Sequence, residues 1–285
     1  MKKTLLHKTD TLPLTCSRKG TCCFDKTVFI NPFELAHLAN AKKTTISNFI
    51  RINCEPGGIQ LKFDDFKNKK GQHACSLYME NFGCSIHKGR PLACRLYPIG
   101  RQIQNNISQY IYEGETFPCL TDCKEVLDLP RLTVEEYLKE QQTQLFENVQ
   151  NGYLEVMQNM ADIAFTLLLD TGLANSGDTD TLRNWRKMSQ YNATQLSNCI
   201  SNEWLNTLLQ PDLNLNIQNF VEMHNEIIQE KAQAQFETLS SFEEIKNLAI
   251  EIMAITLLLG KSIGAESKSL VDMWIEVALE NGAKI

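Results

Sequence analysis

The stretch that decides the reading is Cys84-Ser85-Ile86-His87-Lys88-Gly89-Arg90-Pro91-Leu92-Ala93-Cys94-Arg95-Leu96-Tyr97-Pro98. It sets two thiols, an imidazole and two guanidinium groups within fifteen residues, a density of soft donors and cations that an apolar core does not need. Working outward, Cys75 stands upstream in the series Cys75-x8-Cys84-x9-Cys94. Further out lie Cys16-x5-Cys22-Cys23 on one side and Cys119-x3-Cys123 on the other. Nine of the ten cysteines fall in residues 1–129; only Cys199 lies beyond.

Clustered cysteines mean disulfides or metal, and the compartment decides between them. The N-terminus offers only Leu5-Leu6 before His7, Lys8 and Asp10, whereas a signal peptide needs an apolar core of roughly 7–15 residues. The runs at 164–169 and 252–259 fall far short of the ~20 residues that span a bilayer. The expectation is a cytoplasmic chain with no membrane association and with reduced thiols. Metal is then the stronger explanation.

Thiolates are soft ligands suited to Zn²⁺ and to Fe–S clusters. Cys16, Cys22, Cys23, Cys75, Cys84, Cys94, Cys119 and Cys123 are the candidate ligands, enough for two four-thiolate centres. Neighbouring side chains diverge, so Cys22 and Cys23 are expected to serve different ions, or one of them to pack. The spacing is neither a C-x2-C ribbon nor the ferredoxin run. Charge agrees. Residues 1–129 hold 18 Lys and Arg against 12 Asp and Glu, and two centres of charge −2 each would leave about +2. Arg18, Arg90, Arg95 and Arg101 lie near candidate ligands in sequence and are expected to donate to sulfur or offset charge. Cys84-x2-His87 has ligand-like spacing, so His87 is either a donor or a packing neighbour. Cys54 and Cys199 are read as packing cysteines.

The order Cys22-Cys23, Cys84-x-Ile86-His87, Arg90-Pro91 and Cys94-Arg95-x-Tyr97-Pro98 resembles the YkgJ-type cysteine-cluster family, described as zinc- or iron-chelating. The flagellin lysine N-methylase family is similar in its cysteine module. The resemblance covers about residues 14–125 and implies ligands at Cys16, Cys22, Cys23, Cys75, Cys84 and Cys94. It also implies zinc or iron, including a [4Fe–4S] cluster, as cofactor. Relatives often carry Tyr at the position of His87, which implies packing there. The methylase likeness implies, as an alternative, a protein-modifying enzyme using S-adenosylmethionine.

Around this module the pattern predicts an α+β fold. Asn31-Pro32-Phe33-Glu34 reads as a capping box opening a helix that stops near Asn40, and a second short helix follows Thr45. Pro56-Gly57-Gly58 breaks the chain, Ile59–Phe63 alternates as a strand, residues 66–73 read as a basic loop, and Ile103–Tyr112 reads as a strand. Thr133 and Glu136 form a second capping box, opening one amphipathic pattern towards Leu169. Helical patterns then occupy about 181–209, 216–236, 242–260 and 267–281. The division expected is a cysteine-rich metal-binding domain at 1–129 and an all-helical domain at 130–285, the latter with 10 Lys and Arg against 22 Asp and Glu.

Function classes fall away on the same evidence. The net charge of −6 argues against a polyanion partner, and few aromatics interleave Lys42-Lys43 or Lys69-Lys70 to stack bases, so no nucleic acid is expected. No G-x-G-x-x-G follows a strand and no Walker A sequence is present. What remains is a metal-binding protein, with the methylase-like enzyme or a zinc-stapled interaction module as alternatives, and with metal ions and a protein substrate or partner as ligands.

Overall fold

The computed structural model describes residues 4–12, 15–16, 18, 20–104, 107–112, 128–215 and 218–285. The fold is α+β, with short antiparallel strands in the amino-terminal half and helices thereafter. The chain divides into two compact units. The first comprises Met1–Val28, Ala41–Lys43 and Leu61–Asn148, and the second Phe29–Asn40, Thr44–Gln60 and Val149–Ile285. The 129/130 division drawn from cysteine content and charge is a different partition from this grouping by packing.

In the first unit, β1 (Thr4–Leu6), β7 (Gly100–Gln104) and β8 (Ile107–Tyr112) form an antiparallel sheet of order β1-β8-β7. Thr4 pairs with Tyr112, and Gly100 with Ile111. The single strand expected over 103–112 is therefore parts of two, because Ile103 and Ser108 face each other across a hairpin. Strands β2 (Thr11–Leu12) and β9 (Leu132–Thr133) pair next to it. The strand β9 leads directly into α4 (Val134–Glu140), whose Thr133/Glu136 capping box is formed as expected. Two further hairpins, β3 (Phe63–Lys67) with β4 (His73–Cys75) and β5 (Tyr78–Met79) with β6 (Gly83–Cys84), carry two of the candidate cysteines. The basic loop expected at 66–73 is the tip and flanks of the first hairpin. Its turn is closed by Asn68, whose Oδ1 accepts from the Lys70 and Gln72 N–H groups.

The long pattern from 134 to 169 is interrupted. Helix α4 ends, Gln142 takes a left-handed φ of 53°, and α5 (Thr143–Leu169) begins afresh. A periodic apolar face does not reveal a single left-handed residue, since the residues on either side keep the same spacing.

In the second unit, α1 (Pro32–Ala41) starts with the expected reciprocal bonds: Asn31 N–H donates to Glu34 Oε2 at 3.1 Å and Glu34 N–H to Asn31 Oδ1 at 2.9 Å. Helix α2 (Ile46–Asn53) is capped by Thr45. Of the strand expected over Ile59–Phe63, Gln60 makes only an isolated bridge to Phe29, with Ile59 and Leu61 buried on either side, and Phe63 opens β3 of the first unit. The pattern at 181–209 resolves into three helices, α6 (Asp180–Met188), α7 (Ala193–Ser197) and α8 (Asn202–Leu209), because Asn192 and Ser201 each cap a new start. Helices α9 (Phe220–Phe236), α10 (Phe242–Ser262) and α11 (Ser267–Glu280) complete the unit. Helix α10 is buried almost all round from Ile252 to Gly260, which is where such an apolar helix must lie. No helix among the described residues is long and apolar enough to cross a membrane.

Buried in this unit, Tyr153 and His224 form a closed polar pair. The His224 Nε2–H donates to the Thr207 carbonyl at 3.0 Å, which leaves Nδ1 to accept from the Tyr153 hydroxyl at 2.8 Å. Burial pushes His224 down to about 4, so the ring is neutral.

Candidate metal centre

Two glycines bring the first cysteine segment to the second. Gly20 opens the 3-10 turn Thr21–Cys23 and, like Gly83, has positive φ. A Cβ on Gly83 would lie 2.5 Å from the Arg18 carbonyl oxygen, and one on Gly20 would lie 3.0 Å from Gly83 Cα. Backbone therefore meets backbone here, and only glycine permits it. The contact sets Cys22 and Cys23 beside β6, which carries Cys84. On the other side, Phe24 bridges to Ala74, Asp25 N–H donates to His73 O, and His73 N–H donates to Asp25 Oδ1 at 2.9 Å. That brings the turn to β4 and Cys75. Lys26 Nζ donates to Ala93 O at 2.6 Å and lies 4.3 Å over the Tyr97 ring, tying the same turn to α3 (Leu92–Leu96) and Cys94.

These contacts bring together the four segments that carry Cys22 and Cys23, Cys75, Cys84 and Cys94, and the charge of Cys22 is felt at each of the other four thiols. Cys16, Cys22, Cys23, Cys75, Cys84, Cys94 and Cys199 are free thiols. The Leu77 N–H favours the Cys75 anion and the Ile86 N–H that of Cys84, the same two-residue offset in both hairpins. Backbone donors of this kind orient a sulfur and favour its anion. The Cys23 thiol donates to Cys22, and with the charges of Lys26 and Arg90 this outweighs burial and brings Cys22 down to about 6. The same bond and burial hold the Cys23 proton in place. Burial pushes Cys75 up to about 11 and Cys94 up to about 12, and raises Cys84. Protein groups alone therefore stabilise one thiolate, and a cation is what would draw the others to ionise. The donor chemistry fits zinc or iron. Among the described residues, no three Cys, His, Asp or Glu side chains already surround a common point as ligands of one ion would.

The remaining candidates are distributed differently. Cys16 stands beside His87, its Sγ 3.7 Å from Nε2. Burial first, then Arg90, Arg18 and Arg95, push His87 down to about 4, so it offers a neutral imidazole. Cys119 and Cys123 lie outside the described residues. Cys54 is buried in the second unit, as a packing residue should be. Cys199 is exposed, its Sγ 3.4 Å from Gln195 O, so packing is not its role. It follows the short α7, where the chain turns at the surface.

Of the four arginines, Arg90 offsets thiolate charge as expected, whereas Arg95 is used for backbone carbonyls. Arg95 is buried and donates to three backbone carbonyls, of Arg90, Gln141 and Lys88, at 2.7, 2.8 and 2.6 Å. Its guanidinium also lies 4.1 Å over the Phe146 ring. Arg90 donates to His87 O and to Gln141 Oε1, while its charge is felt by Cys22 and Cys84. Arg101 binds Ser108 Oγ and lies 3.9 Å from Glu147, and Arg18 lies 5.6 Å over the Phe82 ring. The Arg-Pro and Cys-Arg steps therefore hold the segment between Cys84 and Cys94 to the α4–α5 connection. Gln141 in that connection was not legible as a partner, because nothing in its local sequence marks it.

Residues 15–113 match the family model CxxCxxCC, described as a putative zinc- or iron-chelating domain. The match spans about a third of the chain and takes in Cys16, Cys22, Cys23, Cys75, Cys84 and Cys94, but not Cys119 or Cys123. No curated protein and no solved structure matches the chain.

Proposed function

We propose that the first unit binds zinc or iron through its cysteines, as a chelating module of YkgJ type. The carrying observation is that backbone and side-chain contacts bring four separate segments bearing five free thiols together in the first unit, within the span that matches a zinc- or iron-chelating family model. In this reading Cys75, Cys84 and Cys94 with Cys22 form the principal donor set. Cys23, Cys16, Cys119 and Cys123 supply the remaining thiols, enough for a second ion. A centre closed by four thiolates would act as a staple that fixes the loops, whereas an open position would permit chemistry.

Variant proteins test the grouping. Cys22→Ser and Cys94→Ser should each lower bound metal and destabilise the first unit, while Cys199→Ser leaves metal unchanged. Metal content measured by elemental analysis decides it. Equal loss in Cys199→Ser would show the thiols to be wrongly grouped.

A further inference from the structure

The second unit holds an open groove of about 740 Å³ that the metal reading leaves unexplained. Its walls are the carboxy-terminal half of α5 and the end of α9, and Leu248 of α10 helps close the floor. The floor is apolar: Leu167 and Leu248 are buried, Ile163 is half-buried, and Phe236 is 41 % exposed. Carboxylates stand on both rims, Asp162 on α5, and Glu230 on α9 with Glu237 just past its end.

Two of these carboxylates, Asp162 and Glu237, are held by amide donors but not neutralised. Gln158 Nε2 donates to Asp162 Oδ1 at 2.8 Å, and Gln233 Nε2 donates to Glu237 Oε1 at 2.9 Å. Helix α5 contains no Lys or Arg at all. Helix α9 contains only Lys231, which pairs with Glu203 and lies 5.2 Å over the Trp204 ring. Among the described residues, no cation pairs with any of the three rim carboxylates. An apolar floor between two acidic rims, in a region with 10 Lys and Arg against 22 Asp and Glu, calls for a partner that is apolar on one stripe and cationic beside it.

We propose that this groove docks a basic amphipathic helix of a partner protein. Apolar residues one turn apart on that helix would cover Ile163 and Phe236, and flanking Lys or Arg would reach Asp162 on one rim and Glu230 and Glu237 on the other. This is the helix-in-groove mode, with affinity from the covered apolar surface and register from the charges.

The test uses the full chain and a fluorescein-labelled amphipathic peptide of Leu, Ala and Lys, read by anisotropy. Two controls have the same composition with Lys replaced by Glu, and the same residues shuffled to destroy the apolar stripe. The Lys peptide should bind saturably and weaken with salt, and both controls should bind at least about tenfold more weakly. Asp162→Lys combined with Glu237→Lys should weaken binding by about tenfold, whereas Glu276→Lys combined with Glu280→Lys on α11 should leave it within about twofold. Circular dichroism checks that the variants keep their helices, and Phe236→Ala tests the floor without altering charge. Equal binding of the shuffled peptide, equal loss from the α11 variant, or no binding by the unaltered chain would overturn the proposal. So would self-association of the chain that the Lys peptide does not displace.

Discussion

Arg95 shows what one residue does in this fold. Its guanidinium gathers three carbonyls and covers an aromatic ring, so its removal would leave buried acceptors without donors. Arg95→Ala should destabilise the first unit by roughly 3 kcal/mol, and Arg95→Lys should recover little, because an ammonium cannot span the three acceptors. Chemical denaturation measures both; a neutral Arg95→Ala would contradict the assignment. His224 makes a second prediction at this scale. Its folded value, about 4, lies below the ordinary 6.5, so the unfolded chain binds more protons between those limits. Stability from this group is complete above pH about 6.5 and is lost as pH falls towards 4 and below. A proton on Nδ1 would also reverse the bond to Tyr153, whose hydroxyl would then have to accept and turn its own hydrogen elsewhere in a buried site. His224→Gln should flatten the acid side of the stability profile; an unchanged slope would remove His224 as its source. At this scale the sequence singled out Cys16, Cys22, Cys23, Cys75, Cys84 and Cys94 through their clustering and the family resemblance, and the matched family model spans all six. It could not reveal Gln141 or the Tyr153–His224 pair, whose partners lie dozens of residues away.

Among the elements, the hairpins and the turn at Gly20 decide whether the thiols meet. Gly83→Ala would force a Cβ against the Arg18 carbonyl in a left-handed conformation. The backbone alone should then cost about 1–2 kcal/mol, and Cys84 should be displaced from the turn that carries Cys22. Lower metal content at equal protein concentration, measured by elemental analysis, is the expected result. Helix starts were the most legible elements. Asn31/Glu34, Thr45 and Thr133/Glu136 are local side-chain-to-backbone bonds, and local sequence determines them. Interruptions were the least legible. Gln142 divides one apolar stripe into two helices through a single dihedral angle, and the 181–209 pattern hides two caps within continuous periodicity. The hairpin of β7 and β8 was read as one strand for a similar reason: alternation fixes which face a residue takes, not where the chain reverses.

For the whole molecule, the α+β character followed from the shift in composition, while the packing units follow long-range contacts that composition does not encode. The two units differ in build. The second is organised around a helix buried nearly all round, whereas the cysteine-bearing part of the first is made of short two-stranded hairpins, the kind of structure a bound metal would staple. Chelation should therefore loosen the first unit while the helical signal of the second persists, seen as a partial change by circular dichroism alongside increased proteolysis among the hairpins. Simultaneous loss of both would tie the helical unit to metal as well.

The most direct measurement is the metal and sulfide content per chain of protein purified without air, taken with its visible spectrum. The account predicts zinc in a colourless protein, or iron with sulfide in a brown one, at one or more metal ions per chain. A fully folded preparation with neither metal would contradict it.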